Sequence, residues 1–563
     1  MVNQEISKIF SNIADYLEMS EESNVFRIRA FRKASETILK YPTDVSKLNR
    51  YDLEKISGIG KSTASDILEY AKTGKIEYYE QLKKDSPVNL EELTKIQGMG
   101  PKRIKKLYYE LGVKNIDDLK KAAETGKIEM LEGFGKKSQD SILQNIQFAI
   151  VNKDRNRIDI ALKIASDYIT YLKENDKSII QIKYAGSLRR REETVGDVDL
   201  LVSSKNPANT HKVFTNYNQV DKVLAFGDTK SSVWLKQKIQ IDLRVVDNDS
   251  FGTALQYFTG NVDHNVMLRK VAIKKGYKLS EYGVFDKSKK NLTEGKSEKD
   301  VYRLLVNNYI IPEMRNNNGE IGLALAGKLP TPITIDSIYG DLQMHTTNSD
   351  GKHTVNEMVQ KCIDLGYKFM GITDHFGNLG VANAVKEDEF NEYYDNILQA
   401  KERYKDKIKV YIGGEINIKS NGDLDFTQDK LEKLDYVLAS VHSGLKRDPK
   451  EQTQRYLNAL QNPVIKIIGH PTGRLIGERP GFEFDYDRVF SECAKKHVAV
   501  EINSHPMRLD LPYQLVLKAV KQGCKISINT DAHSVEDLDL IKYGVFVARK
   551  AGLESKNLFN PDF

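Results

Sequence analysis

The sequence predicts a multidomain chain with a helical N-terminal region, an α+β core and a C-terminal βα barrel. Three observations carry this. A glycine-punctuated helical unit recurs up to about residue 138, a pair of strands near 182–244 carries three aspartates, and after residue 336 short apolar strands repeatedly end in His, Asp or Glu. At 563 residues the chain also exceeds what one hydrophobic core organises. The hydrophobic share of 40% is ordinary, and no apolar run reaches the length of ~18 residues that reads as a membrane span. The N-terminus is polar and shows no signal peptide, so a soluble cytosolic protein is expected. Cys362, Cys493 and Cys524 lack zinc-finger spacing, which argues against a disulfide framework or a thiolate metal site. The net charge of +6 permits nucleic-acid binding without requiring it, so local pattern has to decide.

The repeat reads LEKISGIGKSTA at 53–64, LTKIQGMGPKRI at 93–104 and LEGFGKKS at 131–138. In each copy an apolar helix end runs into Gly-x-Gly (Gly58 and Gly60, Gly98 and Gly100, Gly133 and Gly135), and a new helix begins directly afterwards. Glycine allows the tight turn, and the new helix offers free N–H groups to an anion such as a DNA phosphate. Lys61, Lys102, Arg103, Lys136 and Lys137 are placed to add charge. A single copy reads first as an ordinary glycine-capped helical hairpin. Three copies resemble helix-hairpin-helix motifs, which grip the DNA backbone without reading sequence. Upstream, residues 24–42 are expected to form an amphipathic helix with Phe26, Ala30, Ala34 and Ile38 on one face and Arg27, Arg29, Arg32 and Lys33 interspersed. Alone this is a surface helix. Followed by the hairpins, it resembles the small N-terminal domain of the DNA polymerase beta family, which binds the 5′ side of a gap. Asp66 stands where several family members carry a Schiff-base lysine, so lyase chemistry is not expected here.

The α+β core is announced by IKYAGSLRRREETVGDVDLLV at 182–202. Its ends read as strands, with Gly186 and Ser187 opening the turn between them. Asp197 and Asp199, two apart in a strand, share one face. In KIQIDLRVV, apolar Ile239, Ile241 and Leu243 alternate with Gln240, Asp242 and Arg244, which puts Asp242 on the polar face as a third carboxylate. Three such oxygen donors suit Mg²⁺. Gly-Ser, Asp-x-Asp and the later Asp, with YFTG at 257–260 and HNVMLRKVAIKKGYKLSEYGVF from His264, resemble the nucleotidyltransferase signature of family X DNA polymerases over residues 1 to about 315. The resemblance implies that Asp197, Asp199 and Asp242 hold two Mg²⁺ ions that act on a primer 3′-hydroxyl and a dNTP triphosphate. It further implies that Gly186, Ser187 and Arg190 bind the triphosphate. Tyr257, Phe258 and Gly260 would lie against the sugar, and Asn265 and Arg269 would face the base pair or template.

A polar, turn-rich stretch at 316–335 reads as a linker. Beyond it the strand ends supply Asp341 and His345, Asp350, Asp374 and His375, Glu415, His442, His470, Glu501 and Asn503, and Asp531 and His533. Repeated βα units with polar strand C-termini describe a barrel whose catalytic face gathers those ends. His, Asp and Glu without Cys suit Mn²⁺, Zn²⁺ or Fe²⁺ in a multinuclear hydrolytic centre. The pattern resembles the polymerase and histidinol phosphatase (PHP) domain, a distorted (βα)₇ barrel. This implies up to three Mn²⁺ or Zn²⁺ ions on His345, Asp350, His375, Glu415, His442, His470, Asp531 and His533. Gln343 departs from the usual His-x-His. The segment 473–481, with Arg474 and Arg479, reads either as a DNA guide or as a surface loop.

The expected division is therefore an N-terminal DNA-binding domain at 1–85, a fingers-like helical region at 86–152, a palm at 153–245, a thumb-like part at 246–315, the linker at 316–335 and the PHP domain at 336–563. The domain order resembles bacterial family X polymerases. It implies gap filling in base excision repair with a 3′–5′ exonuclease, 3′-end-processing and AP endonuclease activity. Gapped or nicked DNA with a 5′-phosphate and dNTPs would be the partners of a monomer near the nucleoid, without membrane. A small-molecule phosphatase and a noncatalytic DNA-binding scaffold are the competing readings.

Overall fold

A computed structural model of the chain describes residues 2–20, 24–41, 44–94, 96, 99–152, 155–378 and 383–561. Gly98, one of the hairpin glycines, lies outside them. The chain divides into two units, residues 1–153 with 477–479, and residues 154–476 with 480–563.

The first unit is helical. Ile6, Phe10, Phe31, Ile38, Leu93, Ile104, Leu107 and Leu119 belong to one buried cluster, so the segments 1–85 and 86–152 share a core instead of forming separate domains. In the first hairpin, helix Arg50–Lys55 leads to Gly58 at φ 98°, and Gly60 caps helix Lys61–Thr73. A Cβ on Gly58 would meet Thr37 Oγ1 at 2.6 Å, so the turn requires glycine. Gly100 caps helix Pro101–Leu111 with proline at its first position, where the missing N–H does no harm. The third copy differs. Turns, not a helix, fill 125–130 before Gly133 at φ 80° and helix Lys136–Asn152. The basic helix Val25–Lys40 buries Phe31, Ala34, Ser35 and Ile38, while Phe26 is 84% exposed and Ala30 is exposed. The expected face was wrong at its N-terminal end. Steps of four residues overrun the turn of ~3.6 residues, so a stripe of every fourth residue winds away from the core within three steps.

The second unit opens with a five-stranded sheet. Its strands are β1 (Ile179–Tyr184), β2 (Asp197–Ser204), β3 (Val220–Phe226), β4 (Lys230–Leu235) and β5 (Gln240–Val246), in spatial order β1-β2-β5-β4-β3. Alternation sets its faces. Val198, Leu200, Val202, Ile241 and Leu243 pack with Tyr168 and Phe214, whereas Leu201 packs on helix Phe251–Thr259. A smaller core of Leu268, Val301, Tyr302, Leu305 and Ile310 follows. The expected linker at 316–335 is partly structural, because helix Glu320–Leu325 places Ile321 and Ala324 in that same core. Turn-forming residues around it concealed a short apolar stripe.

The barrel is a parallel path of β6 (Gly340–Asp341), β7 (Phe369–Ile372), β8 (Lys409–Asn417), β9 (Tyr436–Ser440), β10 (Ile465–Ile468), β11 (Ala499–Asn503) and β12 (Ile526–Asn529), in that spatial order. A parallel bridge from Met344 to Ala532 nearly closes the ring. Strands β9, β11 and β12 are buried along their whole length, as helices on the outer side of a parallel sheet require. No described helix is long and apolar enough to cross a membrane.

Candidate active sites

In the palm, the parallel pairing of β2 with β5 sets Asp199 directly opposite Asp242, and Asp197 opposite Gln240. One carboxylate oxygen from each of Asp197, Asp199 and Asp242 lies within 4.8 Å of the others. Burial raises the Asp199 carboxyl to about 6, and the charges of Asp197 and Asp242 push the same way. Burial also opposes ionisation of Asp242, but hydrogen bonds from Lys230, Gln240 and Ser232 outweigh it and hold that group below its ordinary value. The Lys230 ammonium is 2.5 Å from Asp242. Lys230 was not legible in the sequence, since it lies in an exposed hairpin with no motif around it. Clustered carboxylates that repel one another are what a hard divalent cation relieves, so the residues fit Mg²⁺.

Gly186 and Ser187 start a helical turn, Gly186–Arg189, beside these carboxylates. Arg190 donates from Nη1 to the Thr259 carbonyl at 2.6 Å, which joins the Gly-Ser turn to the YFTG segment. Asn265 is buried and donates to the Tyr257 carbonyl at 2.7 Å, so here it fixes the backbone of that segment. Phe258 lies under Arg244 at 4.6 Å, Gly260 is buried, and Arg269 is exposed.

The barrel centre is organised by Glu415, which is fully buried. Its Oε1 lies 3.1 Å from His442 Nε2 and 2.9 Å from His470 Nε2, and its Oε2 lies 3.4 Å from both His345 Nε2 and His375 Nδ1. Donor atoms of His345, Asp350, His375 and His533 lie within 4.8 Å of one another, as do those of His375, Glu415 and His442, and of His345, Glu415 and Asp531. His470 falls in none of these groups and contacts the cluster through Glu415. Nδ1 of His345, His375, His442 and His470, together with Glu415 Oε2, are buried without a hydrogen-bond partner among the described residues. Four imidazoles around one carboxylate with orphaned nitrogens fit a set of transition-metal ligands better than a hydrogen-bonded core.

The electrostatics agree. Burial opposes ionisation of Glu415, yet the neighbouring His375 and His442 hold it well below the carboxylate range. Asp531 is likewise held low against burial by the hydrogen bond from His345 and the charge of His533. Burial pushes His375 down to about 3, while the hydrogen bond to Asp350 overcomes burial at His533 and lifts it to about 9. His470 and Asp531 occupy left-handed backbone at φ 25° and 57°, the kind of local strain that functional sites retain.

The remaining strand-end residues support this set. Asp374 accepts from Thr346 N and Ser349 Oγ at 2.7 and 2.6 Å, and Asp341 accepts from Thr530 and Gln343. Glu501 accepts from the His470 N–H at 2.7 Å, and Asn503 donates to Asp531 Oδ2 at 3.0 Å. Arg508 Nε, 3.5 Å from Asp531 Oδ2, was missed because it comes from a loop without strand periodicity. Of the two arginines in 473–481, Arg474 is drawn into ion pairing and backbone contacts, so it is not part of a free guide.

Four families match. A Helix-hairpin-helix domain covers residues 1–76, a SAM-like Helix-hairpin-helix tandem 90–147, the DNA polymerase beta thumb 254–316 and the PHP domain 341–505. Over 203 residues the chain is 30% identical to a "Probable phosphatase" of Clostridium acetobutylicum, across 34% of this chain and 78% of that protein. A "Probable phosphatase" of Thermoanaerobacter sp. (strain X514) is 26% identical across 39% of this chain and 90% of its own length. Over its whole length the chain is 38% identical to the "DNA polymerase/3'-5' exonuclease PolX" of Bacillus subtilis (strain 168), of which the match covers 97%. With hairpins, palm carboxylates, thumb and His-rich barrel in one chain, this protein belongs to the bacterial family X DNA polymerases that carry a C-terminal PHP domain and are paired with a 3′–5′ exonuclease.

Proposed function

We propose that the chain fills short gaps in DNA during base excision repair and processes 3′ ends at the barrel, where AP endonuclease cleavage uses the same centre. The observation that carries this reading is the pair of disjoint ligand sets, the Asp197, Asp199 and Asp242 triad in the palm and the Glu415-centred cluster in the barrel. Each lies in a chain whose hairpin glycines, Gly58, Gly60, Gly100, Gly133 and Gly135, free helix N-termini for backbone phosphates. The likeness to phosphatases covers only 34–39% of this chain, and the hairpins favour a polymer substrate.

In this reading Mg²⁺ at the palm and Mn²⁺ or Zn²⁺ at the barrel, up to three ions, supply charge neutralisation and an activated hydroxyl or water. The chain's own residues do the placing. Lys230 and Gln240 hold Asp242 ionised and oriented, Ser187 and Arg190 receive the dNTP triphosphate, and Tyr257 to Gly260 flank the sugar. Arg269, exposed, faces the template base pair. In the barrel, Asn503, Glu501 and Asp374 fix the ligands His470 and Asp531 and the Thr346–Ser349 turn, so the donor set is formed before substrate arrives. The substrate is gapped or nicked DNA with a 5′-phosphate, and the protein acts as a monomer in the cytoplasm at the nucleoid.

A time course on gapped, 5′-phosphorylated DNA with Mg²⁺ or Mn²⁺, with and without dNTPs, tests the reading. Asp242→Ala should lose extension and keep degradation, and His345→Ala should do the reverse. Loss of both activities in either variant, with circular dichroism unchanged, would falsify the two-site assignment.

A further inference from the structure

The palm segment Arg191–Glu193 makes contacts that neither active site uses. Glu193 forms a bidentate pair with Arg474 of the barrel, Nη1 to Oε2 at 2.9 Å and Nη2 to Oε1 at 2.7 Å. The same guanidinium donates from Nε to the Arg508 carbonyl at 2.8 Å and from Nη2 to the Leu509 carbonyl. Glu192 pairs with Lys550 at 2.6 Å, and Arg191 lies 4.2 Å over Phe546 on the barrel's last helix, Ile541–Lys550. Arg474 is 15% exposed and Glu193 27%, so the pair is largely withdrawn from solvent screening.

What Arg474 holds matters more than the pairing itself. The Arg508 side chain reaches Asp531 Oδ2 at 3.5 Å, beside the Asn503 amide at 3.0 Å, and Leu509 sits in left-handed backbone at φ 43°. The next residue, Asp510, accepts from Thr472 N at 3.0 Å, and its carbonyl accepts from Asn503 N at 2.6 Å. A loop bent in this way, carrying a cation to a metal-ligand carboxylate, needs its carbonyls anchored. Arg474 is that anchor, and the palm supplies the carboxylate that orients it.

We propose that Glu193 and Arg474 are positioning residues for the barrel centre, holding Arg508 against Asp531, so that the polymerase palm completes the nuclease. This rests on the reading of the barrel as the nuclease with Asp531 as a ligand. The predicted consequence is a weakened metal site, of about tenfold for loss of such a supporting contact, without damage to synthesis.

The test uses the full chain. Mn²⁺ binding to metal-stripped protein is followed by electron paramagnetic resonance of the free ion, in an Asp242→Ala background that silences the palm site. Glu193→Gln and Arg474→Lys should each weaken Mn²⁺ binding about tenfold, and the double variant should be no worse than either alone. In the background with Asp242 intact, both should raise the Mn²⁺ concentration needed for 3′–5′ degradation by a like factor while Mg²⁺-dependent extension stays within about twofold. A charge exchange, Glu193→Arg with Arg474→Glu, should not rescue, because a carboxylate cannot donate to the carbonyls of Arg508 and Leu509. Unchanged Mn²⁺ binding in both single variants, or rescue by the exchange, overturns the proposal. His345→Ala serves as the reference: if it retains degradation, the nuclease assignment itself fails, whereas its loss beside unaffected Glu193 variants rejects only the brace.

Discussion

Gly186 presses its backbone against the carboxylate of Asp199, and a Cβ at this position would collide with Asp199 Oδ2. Gly186 also has φ 58°, a conformation that costs an L side chain about 1–2 kcal/mol. The glycine of the Gly-Ser pair is thus required by the carboxylate, besides any role toward phosphate. Gly186→Ala should displace Asp199 and reduce extension by roughly a hundredfold, as expected when a reacting group shifts by about an ångström. Degradation by the barrel should be unaffected. Single-turnover extension beside an exonuclease time course on the same preparation measures both, and near-normal extension would refute the packing argument.

Glu298 ties palm to thumb. It accepts two hydrogen bonds from Arg189, at 2.8 and 2.7 Å, one from Arg315 at 2.7 Å and one from the Tyr309 hydroxyl at 2.8 Å. Burial opposes its ionisation, but Arg315 and Arg189 dominate and hold it far below the carboxylate range. Glu298→Gln would leave Arg315, which is fully buried, without its counter-charge, and should destabilise this unit by about 3–5 kcal/mol at neutral pH. The sign of the pH dependence follows from the depressed value. The stabilisation is complete above the unfolded carboxyl value of about 4.3 and is lost as pH falls through the lower folded one. Urea unfolding of the two proteins should show a constant gap above about pH 5 that narrows only in stronger acid. A gap that closes near neutrality would exclude the ion network as its origin.

The parts of this molecule that could be read in sequence are those where chemistry repeats along the chain. Strand-end histidines and carboxylates fall at regular βα intervals, so their gathering on one face of a barrel was legible from periodicity, whereas the place of Glu415 among four histidines was not. Asp242 was legible because Ile241 and Leu243 fix the pleat of β5. Lys230, Arg508 and Glu298 were not legible, because each acts on a partner remote in sequence through a contact that no local pattern encodes. The helix Glu320–Leu325 was hidden for a related reason: six residues carry too little periodicity to stand out among turn formers. The misjudged face of Val25–Lys40 shows the opposite failure, a regular pattern of every fourth residue that the helix itself does not follow.

Asp66 lies on helix Lys61–Thr73 directly after the first hairpin, where burial, reinforced by Glu69, raises its carboxyl to about 6 and Arg27 opposes the shift. A carboxyl cannot form an imine with an abasic-site aldehyde, so borohydride should trap little protein on 5′-deoxyribose phosphate DNA. Asp66→Lys restores an amine to that position and is the informative companion. Efficient trapping by the natural chain would reveal another lysine in the role, and mass spectrometry of the adduct would name it.

Gln343 departs from the His-x-His pattern in a way that gives a prediction of opposite signs. It is fully buried, two residues before His345, and neither Oε1 nor Nε2 has a hydrogen-bond partner among the described residues. A buried amide left unpaired costs about 1–3 kcal/mol, so in metal-stripped protein Gln343→Met, of similar length and apolar, should raise stability by that order. With Mn²⁺ bound the sign should reverse, because the amide oxygen is the one donor at this position able to face a cation and the thioether is a poor ligand for a hard ion. Gln343→His should move the other way, tightening Mn²⁺ relative to the natural chain. Thermal unfolding of the three proteins, each stripped and reloaded over a range of Mn²⁺ concentrations, separates the effects. If Gln343→Met shifts stability in the same direction with and without metal, the amide is packing and takes no part in the donor set.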